Sequence, residues 1–212
     1  MKIPSSIFRE YDIRGIADRD LTDDLVYALG LALATMLPAG PGRRLALARD
    51  CRVSSERLHS AMSRGLVDGG AHVVDAGVGP TTMLYFAVHH TDVDGGIMIT
   101  GSHNPTEENG FKMMRGRASF FGKDIQALRA KIESGDLPRT PGDDVESIDV
   151  HENYVAAVTR DIERPDPKTK IVLDAGNGAG GPLGLAALRK IGLEPDALFC
   201  EMDGLFPNHH PD

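Results

Sequence analysis

Apolar residues fall along this chain in two alternating rhythms. Short, nearly unbroken apolar runs, RLALARD (44–50), HVVDAGV (72–78) and GGIMIT (95–100), alternate with longer stretches whose apolar positions recur at helical spacing. The first kind fits strands covered on both faces and the second fits amphipathic helices. The spacing predicts a helix over 23–37 with Thr22 as N-cap, with Leu25, Leu29, Ala32 and Met36 in a core and with Pro38 and Gly40 as its stop. A second helix opens at Ser54 or Ser55 and ends at Gly69-Gly70, and a third opens at Thr81 or Thr82 and runs through TMLYFAVHH. NGFKMM (109–114) predicts a strand, and FGKDIQALRAKIESG a helix with Ile125, Leu128 and Ile132 inward and Gly135 as its stop.

The rhythm then breaks. LPRTPGDDVESIDVHE is rich in Pro, Gly and acidic residues and reads as a linker over 136–150, with Asp143-Asp144 a solvated run. Beyond it the pattern predicts a helix around 151–161, a strand over 171–177, a helix over 183–191 and a strand over 197–202. Strands alternating with helices place the chain in the α/β class: a mixed, largely parallel sheet flanked by helices. The expected division is one complete domain over 1–145 and an incomplete second α/β domain over 146–212.

Composition narrows the function. At 41% apolar and 25% charged residues the chain is ordinary for a globular protein. A formal net charge of −8 argues against a nucleic-acid binder, which needs concentrated Lys and Arg. No apolar run approaches the roughly 18 residues of a membrane span, and the first fifteen residues lack the apolar segment of a signal peptide. Cys51 and Cys200, far apart, suggest reduced thiols and a cytoplasmic protein without a membrane partner. The adjacent pairs His89-His90 and His209-His210 lack the spacing of zinc ligands.

One stretch concentrates chemistry. The apolar strand ending at Thr100 runs into Gly101-Ser102-His103-Asn104-Pro105. A strand end is a rigid platform, Gly101 lets the backbone approach a bulky group, and Asn104-Pro105 fixes the exit of the turn. A small exposed serine at such a turn suits a nucleophile or phosphoryl carrier, with His103 and Lys112 near in sequence to supply charge or move protons. A competing feature is GNGAGG (176–181), which satisfies G-x-G-x-x-G between a strand and a helix, with Glu201 at the end of the next strand. That pattern leaves open a nicotinamide-dinucleotide-binding domain, although Asp174 would set a carboxylate beside the pyrophosphate.

TGSHNP followed by NGFK resembles the active-site loop of the α-D-phosphohexomutases of the phosphomannomutase/phosphoglucomutase type. FREYDIRG (8–15) resembles their N-terminal motif, and DAGNGAGG (174–181) and CEMDGLFPNHHPD (200–212) resemble two stretches of their second domain. Glycine before the serine is closer to the hexose mutases than to the phosphoglucosamine mutases. The resemblance implies four domains around a cleft, of which this chain would cover the first and part of the second, with the C-terminal domains expected in the parent protein. It implies an intramolecular phosphotransferase that interconverts hexose 1-phosphate and hexose 6-phosphate, glucose or mannose. The reaction would pass through a phosphoserine at Ser102 and a hexose 1,6-bisphosphate intermediate.

The resemblance also implies roles. Arg14 would contact the phosphoryl, Lys112 would transfer a proton, His103 would support, and Tyr11, Arg14, Ser102 and His103 would bind substrate. Mg2+ would be held through the Ser102 phosphate and three aspartates of a D-G-D-G-D-R loop. That loop does not occur in these 212 residues. The chain is therefore expected to be truncated and inactive alone, or a silent phosphosugar-binding fragment.

Overall fold

The computed structural model describes residues 3–37, 43–140, 142 and 145–210. The expected helix stop at Pro38 and Gly40 and the acidic pair Asp143-Asp144 lie outside the described residues. After a 3-10 turn at Ser5–Ile7 the chain forms β1 (Ile13–Ile16), α1 (Ala17–Asp20), α2 (Asp23–Met36), β2 (Arg44–Arg49), α3 (Ser55–Asp68), β3 (His72–Val78), α4 (Thr81–His90) and β4 (Gly95–Ile99). It continues with β5 (Glu108–Arg115), β6 (Ala118–Phe120), α5 (Lys123–Ser134), β7 (Val145–Ser147), α6 (His151–Thr159), β8 (Val172–Asp174), α7 (Gly181–Lys190) and β9 (Asp196–Leu198).

Seven strands make one sheet in the order β1-β5-β4-β2-β3-β7, with β6 also paired to β5. β4, β2, β3 and β7 pair in parallel, whereas β5 is antiparallel to β1, β4 and β6, so β5 alone opposes the rest. This is the mixed, largely parallel α/β sheet expected. Alternation along the strands sends side chains to opposite faces. Leu45, Leu47, Ile97, Ile99, Phe111 and Met113 pack with α2, α3 and α5, while Ala46, Ala48, Met98 and Met114 pack beneath α4. Every residue of β4 is buried, as a strand covered on both faces requires.

Local signals act as their chemistry dictates. The Thr22 hydroxyl oxygen accepts from the Leu25 amide at 3.4 Å, and Asp23 and Asp24 fill the first turn of α2. Gly135 ends α5 in the left-handed region at φ 74°. Two expected caps differ. The Ser54 hydroxyl accepts from Asn109 and the Ser55 hydroxyl donates to Asp50, so neither side chain caps α3. Pro80 precedes α4, and the Thr82 hydroxyl bonds the Tyr154 hydroxyl at 2.7 Å.

Three segments depart from expectation. Within the expected linker, Val145–Ser147 forms β7 against the open edge of β3, where Glu146 pairs with Arg44 at 2.8 Å and His72 at 3.2 Å. The expected boundary after residue 145 thus cuts a strand of the first sheet. β8 stops at Asp174 rather than 177 because the Asp174 carboxylate turns back to accept the Gly176 amide at 2.9 Å, and Gly176 and Asn177 take φ 50° and 61°. β9 stops at Leu198 because Phe199 sits at φ 49°, which ends an extended run. β8 and β9 pair in parallel as a separate two-stranded sheet carrying α7.

The chain leaves β2 for β3 on one side and returns to β4 on the other, with α3 and α4 on opposite faces. The carboxyl ends of β2 and β4 therefore flank a topological switch point, the place where open α/β sheets collect ligands. Asp50-Cys51-Arg52 follows β2 there, and Thr100-Gly101-Ser102 follows β4.

Candidate active site

Ser102 is exposed and holds φ 56°, a left-handed conformation uncommon for a residue with a Cβ. Its amide donates to the Thr100 hydroxyl at 2.8 Å. Its carbonyl accepts from Arg52 Nη2 at 3.0 Å. The turn thus ties its backbone inward and leaves the hydroxyl outward, with His103 Nδ1 3.5 Å from Oγ. Gly101 is needed for close approach: a Cβ there would lie 2.4 Å from the Arg52 guanidinium carbon. The Gly101 amide donates to Asp50 Oδ2 at 3.1 Å, and Asp50 Oδ1 accepts from the Ser55 hydroxyl at 2.5 Å.

A second cluster flanks this loop. Asp12 is buried, and its Oδ2 accepts from Arg14 at 2.8 Å and Lys112 at 3.2 Å. Antiparallel pairing sets Arg14 on β1 opposite Gly110 on β5, two residues before Lys112. Arg14 Nη1 also donates to the Asn104 side-chain oxygen, and the Asn104 amide donates to Glu108. Arg14 therefore reaches the serine loop through Asn104. Among the described residues neither Arg14 nor Lys112 hydrogen-bonds Ser102 itself. Lys112 lines a cavity of about 310 Å3 with Tyr11, Tyr85 and Phe121. Tyr11 is 71% exposed and stacks on Phe121 with ring centroids 6.1 Å apart.

Ser102 opens into a different cavity of about 340 Å3, which lies between the strand ends of the seven-stranded sheet and the glycine-rich turn after β8. Asp50, Cys51, Thr81 and Thr100 line one side, and Gly176, Gly178–Gly180 and His209 the other. Burial and the neighbouring Asp50 push the Cys51 thiol up to about 11, so it stays protonated and does not compete as a nucleophile. Its Sγ donates to the Asn177 carbonyl at 3.4 Å. His209 is raised by its hydrogen bond to the His210 carbonyl and by Asp174, whose carboxylate lies 3.0 Å from Nε2. The same His209 contact holds Asp174 below the usual carboxylate range, helped by the Gly176 amide.

Arg52, Asp12 and Asp50 are the residues that sequence reasoning missed. Each follows or precedes a strand beside the motifs that drew attention, but a carbonyl-binding arginine leaves no sequence pattern of its own. Asn109, fully buried and donating to Ser54 and Ser55 at 2.9 Å, fastens the far end of the loop to α3.

In the glycine-rich turn the amide of the first glycine is taken by the chain itself rather than left open to a pyrophosphate. Asp174 occupies the Gly176 amide, and a Cβ at Gly181 would meet the Cys200 carbonyl at 2.3 Å, so this glycine serves packing. Glu201 lies beyond β9 rather than at a strand end. Among the described residues no group of three His, Cys, Asp or Glu side chains is placed to hold a metal ion. No described helix is long and apolar enough to cross a membrane.

The family described as phosphoglucomutase/phosphomannomutase, alpha/beta/alpha domain I, matches residues 5–139. A phosphomannomutase/phosphoglucomutase of Pseudomonas aeruginosa is 40% identical over 210 residues, covering 99% of this chain and 45% of that protein. A phosphoglucomutase of Neisseria meningitidis is 42% identical over 211 residues, covering 99% of this chain and 46% of that protein. A crystal structure of a phosphoglucomutase/phosphomannomutase family protein from Burkholderia thailandensis superposes with TM-score 0.94 at 39% identity, covering 100% of this chain and 47% of that one. The chain spans about half the length of the curated relatives it matches. On the match to more than half of its residues, the chain belongs to the phosphoglucomutase/phosphomannomutase family.

Proposed function

We propose that this chain carries the phosphoserine half of a phosphohexomutase, which interconverts hexose 1-phosphate and hexose 6-phosphate. The substrates are glucose or mannose phosphates, with a hexose 1,6-bisphosphate as intermediate. The observation that carries the reading is Ser102: an exposed hydroxyl on a strand-end turn whose backbone is tied inward at φ 56°.

In the forward half-reaction the phosphorus–Oγ bond of phosphorylated Ser102 breaks and a bond to a sugar hydroxyl oxygen forms. That hydroxyl's proton passes to a protein base, and the departing Oγ takes a proton from a protein acid, which leaves Ser102 as the free serine. The bisphosphate then presents its other phosphate, which returns to Oγ as the isomerised monophosphate leaves. Transfer of this kind depends on positioning and on neutralising charge. Arg14 is assigned to the phosphoryl oxygens, Lys112 to proton transfer, and His103, beside Oγ, to a supporting donor. Tyr11 offers an exposed ring against the sugar. Asp12 holds Arg14 and Lys112 at one oxygen, which presents two cations without leaving either unpaired.

Family membership implies a divalent metal, and Mg2+ suits phosphate oxygens. The side chains present do not complete such a site: phosphorylated Ser102 would supply one oxygen, and Asp50 is already engaged by Gly101, Ser55 and Arg52. The remaining ligands are assigned to residues outside this sequence. We retain two units, one built on the seven-stranded sheet and one on β8, β9 and α7. The test is conversion of glucose 1-phosphate to glucose 6-phosphate by the full-length gene product. Ser102→Ala should abolish turnover, and a Ser102→Ala protein with wild-type turnover would refute the reading.

A further inference from the structure

The Arg52 side chain is fully buried, yet it makes no use of its charge at the surface. Nη1 donates to the carbonyls of Pro105 at 2.6 Å and Glu108 at 3.1 Å. Nη2 donates to the carbonyls of Ser102 at 3.0 Å and Asn104 at 2.6 Å. Nε faces Asp50 Oδ2 at 3.3 Å. One planar fork therefore gathers four carbonyls of a single loop, an arrangement that the rigid donor geometry of arginine allows and a lysine ammonium does not. The Phe206 ring of the second unit lies over the guanidinium with its centroid 5.2 Å away.

We propose that Arg52 is a positioning residue for phosphoryl transfer, holding the Ser102 turn so that its carbonyl points inward and its hydroxyl into the cleft. The proposal rests on the phosphoserine reading above. A serine at φ 56° relaxes toward the ordinary region unless its neighbours over-determine the turn. The Thr100 hydroxyl holds the Ser102 amide and Arg52 holds the carbonyl, so both sides of the residue are fixed. Asp50 neutralises Arg52 and takes the Gly101 amide, which completes the clamp with one buried ion pair. Arg52 touches no exposed atom of Ser102 and acts only through the backbone. Phe206 makes the clamp sensitive to where the second unit sits.

The experiment follows phosphoryl transfer from phosphorylated Ser102 to glucose 1-phosphate in single turnovers of the full-length gene product. Arg52→Lys keeps the charge and removes the fork. Its transfer rate should fall about 100-fold, the cost of a misplaced reacting group, while half-saturation by glucose 1-phosphate stays within about threefold. A rate near wild type, a change confined to half-saturation, or a loss that only tracks the unfolded fraction seen by circular dichroism would overturn the proposal. If Arg52→Lys yields no soluble protein, Gly101→Ala decides, because its Cβ displaces the intact guanidinium: slowed transfer with unchanged half-saturation supports the clamp, and wild-type transfer overturns it. Phosphopeptide mapping of the wild type separates the two claims. Absence of phosphate from Ser102 removes the phosphoserine reading, whereas phosphate on Ser102 with a wild-type-like Arg52→Lys removes only this one.

Discussion

Lys112 Nζ donates to Asp12 Oδ2 at 3.2 Å across a sequence separation of 100 residues, and that contact ties the N-terminal motif to the strand leaving the serine loop. The same oxygen receives Arg14 at 2.8 Å. Removing the carboxylate leaves two cations side by side without their shared counter-charge, with Arg14 still bonded to Asn104. Asp12→Ala should destabilise the chain by about 2 kcal/mol, the scale of a hydrogen bond to a charged group. In the full-length protein it should lower kcat by at least about tenfold, because Arg14 and Lys112 lose their common anchor. Urea unfolding and steady-state kinetics check the two effects separately. An Asp12→Ala protein with unaltered kcat would show that the shared carboxylate does not position either cation.

Ser102 carries its hydroxyl at a backbone angle that favours glycine. Ser102→Gly should therefore be more stable than Ser102→Ala by about 1 kcal/mol, since only glycine adopts φ > 0 without a Cβ penalty. Both variants should lack turnover. Thermal melts of the pair measure the difference, and equal stability would mean that the turn stores no strain at this residue.

Cys51 should resist alkylation. With its thiol pushed up to about 11, only about 0.1% is thiolate at pH 8, against roughly a quarter for a free cysteine. Iodoacetamide at pH 8 should label Cys51 far more slowly in the folded chain than in urea, as peptide mass analysis reads site by site. Rapid labelling of the folded form would contradict the buried, Asp50-facing thiol.

His209 and Asp174 predict a pH window. His209 is raised from 6.5, so the stability it contributes is fully present below 6.5 and is lost as pH rises through its folded value. Asp174 is lowered from 3.8, so its contribution is present above 3.8 and is lost as pH falls through its folded value. The pair contributes most between those two ordinary values. The gap in melting temperature between wild type and His209→Gln should be widest near pH 5 and narrow above neutrality. A gap that does not change with pH would sink the ion pair.

Legibility in the sequence followed how local each cause was. The unbroken apolar run of β4 and the Thr22 cap of α2 depend on neighbours in the chain, and both were readable. Ser102, Arg14 and Lys112 stood out because they sit in short, unusual motifs. β7 was not readable, because Val145–Ser147 becomes a strand only through the open edge of β3 and the ion pairs of Glu146. β8 and β9 came out shorter than their apolar runs because Asn177 and Phe199 adopt positive φ, which a string of apolar letters does not reveal. Arg52 was invisible for a different reason. Its four hydrogen-bond acceptors are backbone carbonyls, brought beneath it by the parallel pairing of β2 with β4. A side chain that reads backbone rather than side chains leaves no complementary residue to notice.

The central claim is that Ser102 carries the phosphoryl group. The most direct measurement is phosphopeptide mapping of the full-length protein after exposure to glucose 1,6-bisphosphate, with Ser102→Ala in parallel. The account predicts one phosphoryl group, confined to the peptide containing Ser102 and absent from the variant. Phosphate on another residue, or an equal amount on Ser102→Ala, would contradict it.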